Sequence, residues 1–101
     1  MSDPLVDDAA RELVAALSRR AHTVATAESL TAGLLAATLA GVPGASAVLQ
    51  GGLVTYTVET KITLAGVPRE LLAAVGPVAA PTAAALADGA RNRCAATWGS
   101  A

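Results

Sequence analysis

Apolar residues recur at helical spacing from residue 4 to residue 20, where Leu5, Ala9, Leu13, Ala16 and Leu17 form one stripe. Asp3, Asp7 and Asp8 at the start of this segment and Arg19 and Arg20 at its end suit the helix dipole. Pro4 in the first turn removes an N–H that would be unpaired anyway. Residues 23 to 27, which carry threonine and valine, then read as a buried strand. Glu28-Ser29-Leu30-Thr31 opens a second helix over residues 31 to 40, with Leu30, Leu34, Leu35 and Leu39 as its apolar positions. The Gly41-Val42-Pro43-Gly44 cluster stops it. A second strand is predicted over residues 46 to 57, with Gly51-Gly52 marking a bulge or a close backbone approach. Strand, helix and strand in that order make a βαβ unit, expected to be parallel with a right-handed crossover.

Beyond Tyr56 the pattern turns helical. A short helix is predicted over residues 58 to 64, a turn at Gly66-Val67, and a second short helix from Pro68 to residue 75. Gly76-Pro77 punctuates again, and a last helix covers residues 81 to 95 with Ala83, Leu86, Ala87, Ala90 and Cys94 inward. Two convincing strands are few for so many helices, because a parallel sheet normally has several strands with both faces covered. Ala95-Ala96-Thr97-Trp98 could begin a third. The expected fold is therefore α/β, three layers around a mostly parallel sheet that is incomplete within these 101 residues. Either neighbouring copies complete it or the chain is the front part of a longer domain, and the second explanation is preferred. Residues 1–101 are read as a single domain, without repeat or linker.

Composition narrows the picture. Of 54 apolar residues 26 are alanine and none is phenylalanine, which is enough for one compact core and excludes a disordered tail. A net charge of −1 shows no electrostatic footprint for nucleic acid. One cysteine excludes an intramolecular disulfide and a CxxC knuckle, and one histidine excludes a multi-histidine metal site within the chain. The acidic N-terminus does not resemble a secretory signal, so a cytoplasmic location is expected. Residues 29 to 58 carry no charge, but the glycine-proline cluster in the middle argues against a membrane helix.

Ser29 draws attention because it sits where a strand hands over to a helix, the ligand edge of an open α/β sheet. It is either a reactive hydroxyl or a plain helix cap. The segment lacks the G-x-S-x-G of a hydrolase elbow. Lys61 is the only lysine beside six arginines, and Tyr56 is the only tyrosine. Where fixed charge suffices arginine serves; a lysine amine, by contrast, can be freed by burial to act as a base toward a serine. A tyrosine can relay a proton or donate to a developing charge. A solvent-facing lysine and an ordinary sheet tyrosine are the alternatives. Glu28 could orient Lys61 or cap the following helix. His22 reads as a dipole partner at the end of the first helix, Cys94 as a small core residue, and Trp98 as an interface anchor or a loose terminus.

Several of these segments together resemble a known family. Ala27-Glu28-Ser29-Leu30-Thr31-Ala32-Gly33 is similar to the E-S-C-T-G-G signature of the CinA C-terminal domain, the nicotinamide-nucleotide amidase type. The likeness continues through Gly41 to Ser46, Gly51-Gly52-Leu53-Val54-Thr55-Tyr56, Lys61, Gly66-Val67, Val75-Gly76-Pro77-Val78 and Ala87-Asp88-Gly89-Ala90-Arg91. The resemblance implies hydrolysis of nicotinamide mononucleotide to nicotinate mononucleotide and ammonia, a step of NAD salvage, with neither metal nor cofactor. It implies Ser29 as nucleophile, Lys61 as base and Tyr56 as proton-transfer or positioning partner. Glu28, Thr31 and Gly33 would line the substrate pocket, with backbone N–H groups near Thr31 and Gly33 receiving the phosphate. Leu30, Ala32, Val58 and Thr60 depart from the family's cysteine, glycine, asparagine and alanine. The family's later T-G-x-A-G-P segment and substrate arginine are not among these 101 residues. A homo-oligomer without nucleic-acid or membrane partners is expected. The alternative functions are a non-catalytic assembly module, suggested by the unfinished sheet, and a nucleotide-binding regulator.

Overall fold

The computed structural model describes residues 4–101, and side chains from Asp8 onward. The chain runs α1 (Pro4–Arg20), β1 (Val24–Glu28), α2 (Leu34–Ala40), a 3-10 turn (Ala45–Ala47) and β2 (Leu49–Val54). It continues through α3 (Val58–Thr63), α4 (Arg69–Val75), α5 (Ala80–Arg93) and β3 (Trp98–Ser100). The three strands form one parallel sheet in the order β2-β1-β3. The third strand begins where the alanine-threonine run pointed. Among the described residues no helix is long and apolar enough to cross a membrane.

β1 is buried along its whole length, and its alternation feeds two cores. Val24 packs with Ala10, Val14 and Leu17 of α1, Leu39 of α2 and Val48. Ala25 and Ala27 face the other way, onto Leu86 and Ala90 of α5, Leu72 of α4, and Ala65 with Val67. Helices thus cover both faces of the sheet, and the architecture is the expected three-layer α/β fold.

Several side chains face elsewhere than the sequence pattern predicts. The buried stripe of α1 is Ala10-Val14-Leu17, and Leu13 is exposed. Asp3, Leu5 and Asp7 lie outside the described residues and side chains. Helix α2 starts at Leu34, three residues later than predicted, because Ala32 (φ 51°) and Gly33 (φ 101°) turn through the left-handed region. Leu30, 87% exposed, and Leu34 therefore point to solvent. Residues 45–47 form the 3-10 turn instead of the predicted strand start. Gly51-Gly52 fulfils both predicted roles. The register slips between the Val24–Leu49 and Ala25–Gly51 pairs, and a side chain on Gly52 would lie 2.7 Å from Thr26 Oγ1.

Candidate active site

Ser29 follows β1 directly, and α3, which carries Lys61, follows β2 after Thr55, Tyr56 and Thr57. β1 and β2 are adjacent and parallel, so both segments leave the sheet at its C-terminal edge. Thr57 fixes where α3 begins. Its hydroxyl accepts the N–H of Thr60 at 3.1 Å, and its own N–H donates to the Thr60 hydroxyl at 3.1 Å. Thr60, where the resembling family carries alanine, thereby supplies half of a reciprocal cap.

Lys61 is 3% exposed. Its Nζ donates to the carbonyl of Thr55 at 2.7 Å and to Oγ of Ser29 at 3.2 Å. Among the described residues no carboxylate pairs with it. The solvent-facing alternative is thus replaced by a buried amine against a half-buried hydroxyl. Ser29 and Lys61 line a cavity of about 680 Å³ together with Tyr56 and the apolar Leu30, Val58, Val78 and Leu86. Tyr56 stands at this cavity with 62% of its surface exposed.

Glu28 faces away from this pair. The strand alternation that sends Ala27 to the α5 side sends Glu28 under α2, where it is 5% exposed. One carboxylate oxygen accepts the Thr31 hydroxyl at 2.7 Å and the N–H of Leu35 at 2.7 Å, and the other accepts the N–H of Ala36 at 3.1 Å. Burial pushes the carboxyl up, but the Thr31 hydroxyl and the N–H groups of Leu35, Ala36 and Gly33 more than offset it. Glu28 therefore sits below its ordinary carboxylate value. Of its two predicted roles it takes the cap of α2, and it makes no bond to Lys61. Glu28, Thr31 and Gly33 do not line the cavity beside Ser29, and the N–H groups of Leu35 and Ala36 are spent on Glu28.

Sequence reasoning passed over Thr55. Fully buried, it donates its N–H to the carbonyl of Glu28 at 2.7 Å and its hydroxyl to the same oxygen at 3.3 Å. A strand threonine beside a tyrosine carries no signal of this, because the group that meets Lys61 is a backbone carbonyl. His22 and Trp98 meet each other. The indole N–H of Trp98 donates to Nδ1 of His22 at 3.0 Å, so the two tie β3 to the residues before β1. Cys94 is half-buried against β2, where a side chain on Gly51 would come within 3.0 Å of its sulfur.

Fold and site together define an α/β domain with a serine–lysine pair at the carboxyl edge of a parallel sheet. The chain belongs to the CinA C-terminal domain family, whose model matches residues 6–101. It is 53% identical over 83 residues to a CinA-like protein of Frankia casuarinae, covering 82% of this chain and 19% of that protein. A CinA-like protein of an Anaeromyxobacter strain is 50% identical over 101 residues, covering 96% of this chain and 25% of the relative. Among solved structures, the competence/damage inducible protein CihA from Agrobacterium tumefaciens superposes with a TM-score of 0.88 at 38% identity. That match covers 92% of this chain and 58% of CihA. A CinA superfamily protein from Escherichia coli gives 0.89 at 26% identity, covering 95% of this chain and 57% of that one. The chain thus spans a quarter or less of these curated relatives and somewhat over half of these solved structures.

Proposed function

We propose that this domain is an amidohydrolase in which Ser29 attacks a carboxamide carbon and Lys61 handles the protons. The carrying observation is the 3.2 Å separation of Lys61 Nζ and Ser29 Oγ at a cavity wide enough for a small ring. In the first half-reaction the unprotonated amine takes the hydroxyl proton as Ser29 Oγ bonds to the amide carbon. The resulting tetrahedral intermediate collapses with cleavage of the C–N bond, and the Lys61 ammonium returns the proton to the leaving nitrogen, so ammonia departs. Water then attacks the acyl-serine ester. Lys61 removes a proton from that water and delivers it to Ser29 as the acid is released.

The apolar Leu30, Val58, Val78 and Leu86 offer surfaces on which a flat aromatic ring, a pyridinium included, can pack next to the scissile amide. This supports nicotinamide mononucleotide as substrate, the choice that the family resemblance implies. Tyr56, which lines the same cavity, is the proposed partner for the developing oxyanion or for substrate positioning. Glu28 acts one step removed, by holding the turn that follows Ser29. The test is ammonia release from nicotinamide mononucleotide. Ser29→Ala is expected to lower it about a thousandfold or more while leaving the thermal midpoint unchanged. Turnover at the parental rate would exclude Ser29 as nucleophile.

A further inference from the structure

We infer that Thr55 is a positioning residue that aims Lys61 at Ser29. The inference rests on the amidohydrolase reading and adds to it the residue that holds both members of the pair. Thr55 is fully buried between them. On one side its N–H (2.7 Å) and its hydroxyl (3.3 Å) both donate to the carbonyl of Glu28. That carbonyl belongs to the peptide whose nitrogen is Ser29, so the clamp fixes the backbone at the nucleophile. On the other side the Thr55 carbonyl accepts from Lys61 Nζ at 2.7 Å.

The direction of these bonds matters. A carbonyl oxygen can only accept, so the Thr55–Lys61 bond is donated by the amine in either protonation state. A serine hydroxyl can accept or donate. When the amine is neutral, one N–H stays on Thr55 and the lone pair is free to turn toward Ser29, whose hydroxyl then becomes the donor. Thr55 thus selects the orientation in which proton transfer from Ser29 to Lys61 is geometrically open. Among the described residues the only hydrogen-bond partners of Nζ are this carbonyl and the serine, so no other hydrogen bond sets that orientation.

Thr55→Val removes the hydroxyl and keeps the branched shape, whereas Thr55→Ser keeps the hydroxyl. Two readouts apply: kcat and KM for ammonia release, and the rate at which a fluorophosphonate modifies Ser29, which needs no amide turnover. Thr55→Val is expected to lower kcat and the labelling rate about tenfold with KM within about twofold, and Thr55→Ser to restore both. Parental labelling and kcat in a folded Thr55→Val protein would overturn the inference while leaving the amidohydrolase reading intact. An unaltered protein that neither labels at Ser29 nor releases ammonia would instead defeat that reading. The unaltered chain offers a test that survives misfolding of the variants. Lys61 is its only lysine, so its 15Nζ resonance is unambiguous, and held by Thr55 its protons are expected to exchange slowly with water. Exchange as fast as that of a free surface amine would overturn the clamp.

Discussion

At the scale of single residues, Glu28 shows how a charge can be buried without a countercharge. Its carboxylate accepts hydrogen bonds from the Thr31 hydroxyl and the N–H groups of Leu35 and Ala36, and these, with the N–H of Gly33, hold its carboxyl below the ordinary value despite burial. A carboxyl lowered in the folded state stabilises the fold fully above its unfolded-state pKa, and that contribution disappears as pH falls through the folded-state value. Glu28→Gln keeps one acceptor oxygen but sets an NH2 group against a backbone N–H. It is expected to cost about 1–3 kcal/mol at neutral pH, and the deficit relative to the parent is expected to shrink as pH falls below the ordinary carboxylate range. Urea midpoints measured from neutral pH down through that range check both. A pH-independent deficit would mean that packing, not charge, is what the substitution removes. Residue type made Ser29, Tyr56 and Lys61 visible in the sequence, because each is either unique or placed at a strand-to-helix junction. Which way Glu28 points was not visible, since it depends on the parity of β1, and the group that Thr55 offers to Lys61 is a main-chain carbonyl that residue type does not announce.

At the scale of elements, α1 and α5 end in the same way. After α1 the N–H of Ala21 donates to Ser18 at 3.1 Å and that of His22 to Leu17 at 3.0 Å. After α5 the N–H of Ala95 donates to Asn92 at 3.3 Å and that of Ala96 to Arg91 at 2.9 Å. Each is a Schellman closure, and each puts alanine in the left-handed region, both at φ 54°, where glycine is the usual occupant. Relief of the Cβ strain outweighs the added entropy of the unfolded chain, so Ala21→Gly and Ala95→Gly are each expected to stabilise by about 0.5–1 kcal/mol. The check is the denaturation midpoint of each single variant. This also explains why the helix ends were only partly legible. Gly41 and Gly76 announce their stops, whereas alanine at a left-handed position announces nothing. Ala32 hides the late start of α2 for the same reason.

At the scale of the whole molecule, layers packed through small residues make up for the absence of phenylalanine. Gly89 on α5 lets the chain at Ala65 pass so close that any side chain there would run into the Ala65 carbonyl, and Gly99 on β3 stands in the same relation to Ala87. Gly89→Ala is expected to destabilise by about 2–3 kcal/mol despite the better helix propensity of alanine, as a lower urea midpoint with unchanged slope would show. The order of elements and the parallel sheet could be read from the strand-helix-strand pattern and the glycine-proline breaks. The inward positions of α1 and α2 could not, because alanine is so frequent that several stripes satisfy the same periodicity. The alternation along β1 has one last consequence, for the insertions and deletions that the lineage can tolerate. Glu28 and Ser29 are consecutive and serve opposite faces, so losing one residue upstream in β1 would exchange them. The carboxylate would then enter the cavity beside the amine and the hydroxyl would be entombed beneath α2. A substitution in this strand leaves that parity intact, whereas a one-residue change in its length would turn the nucleophile to the wrong face.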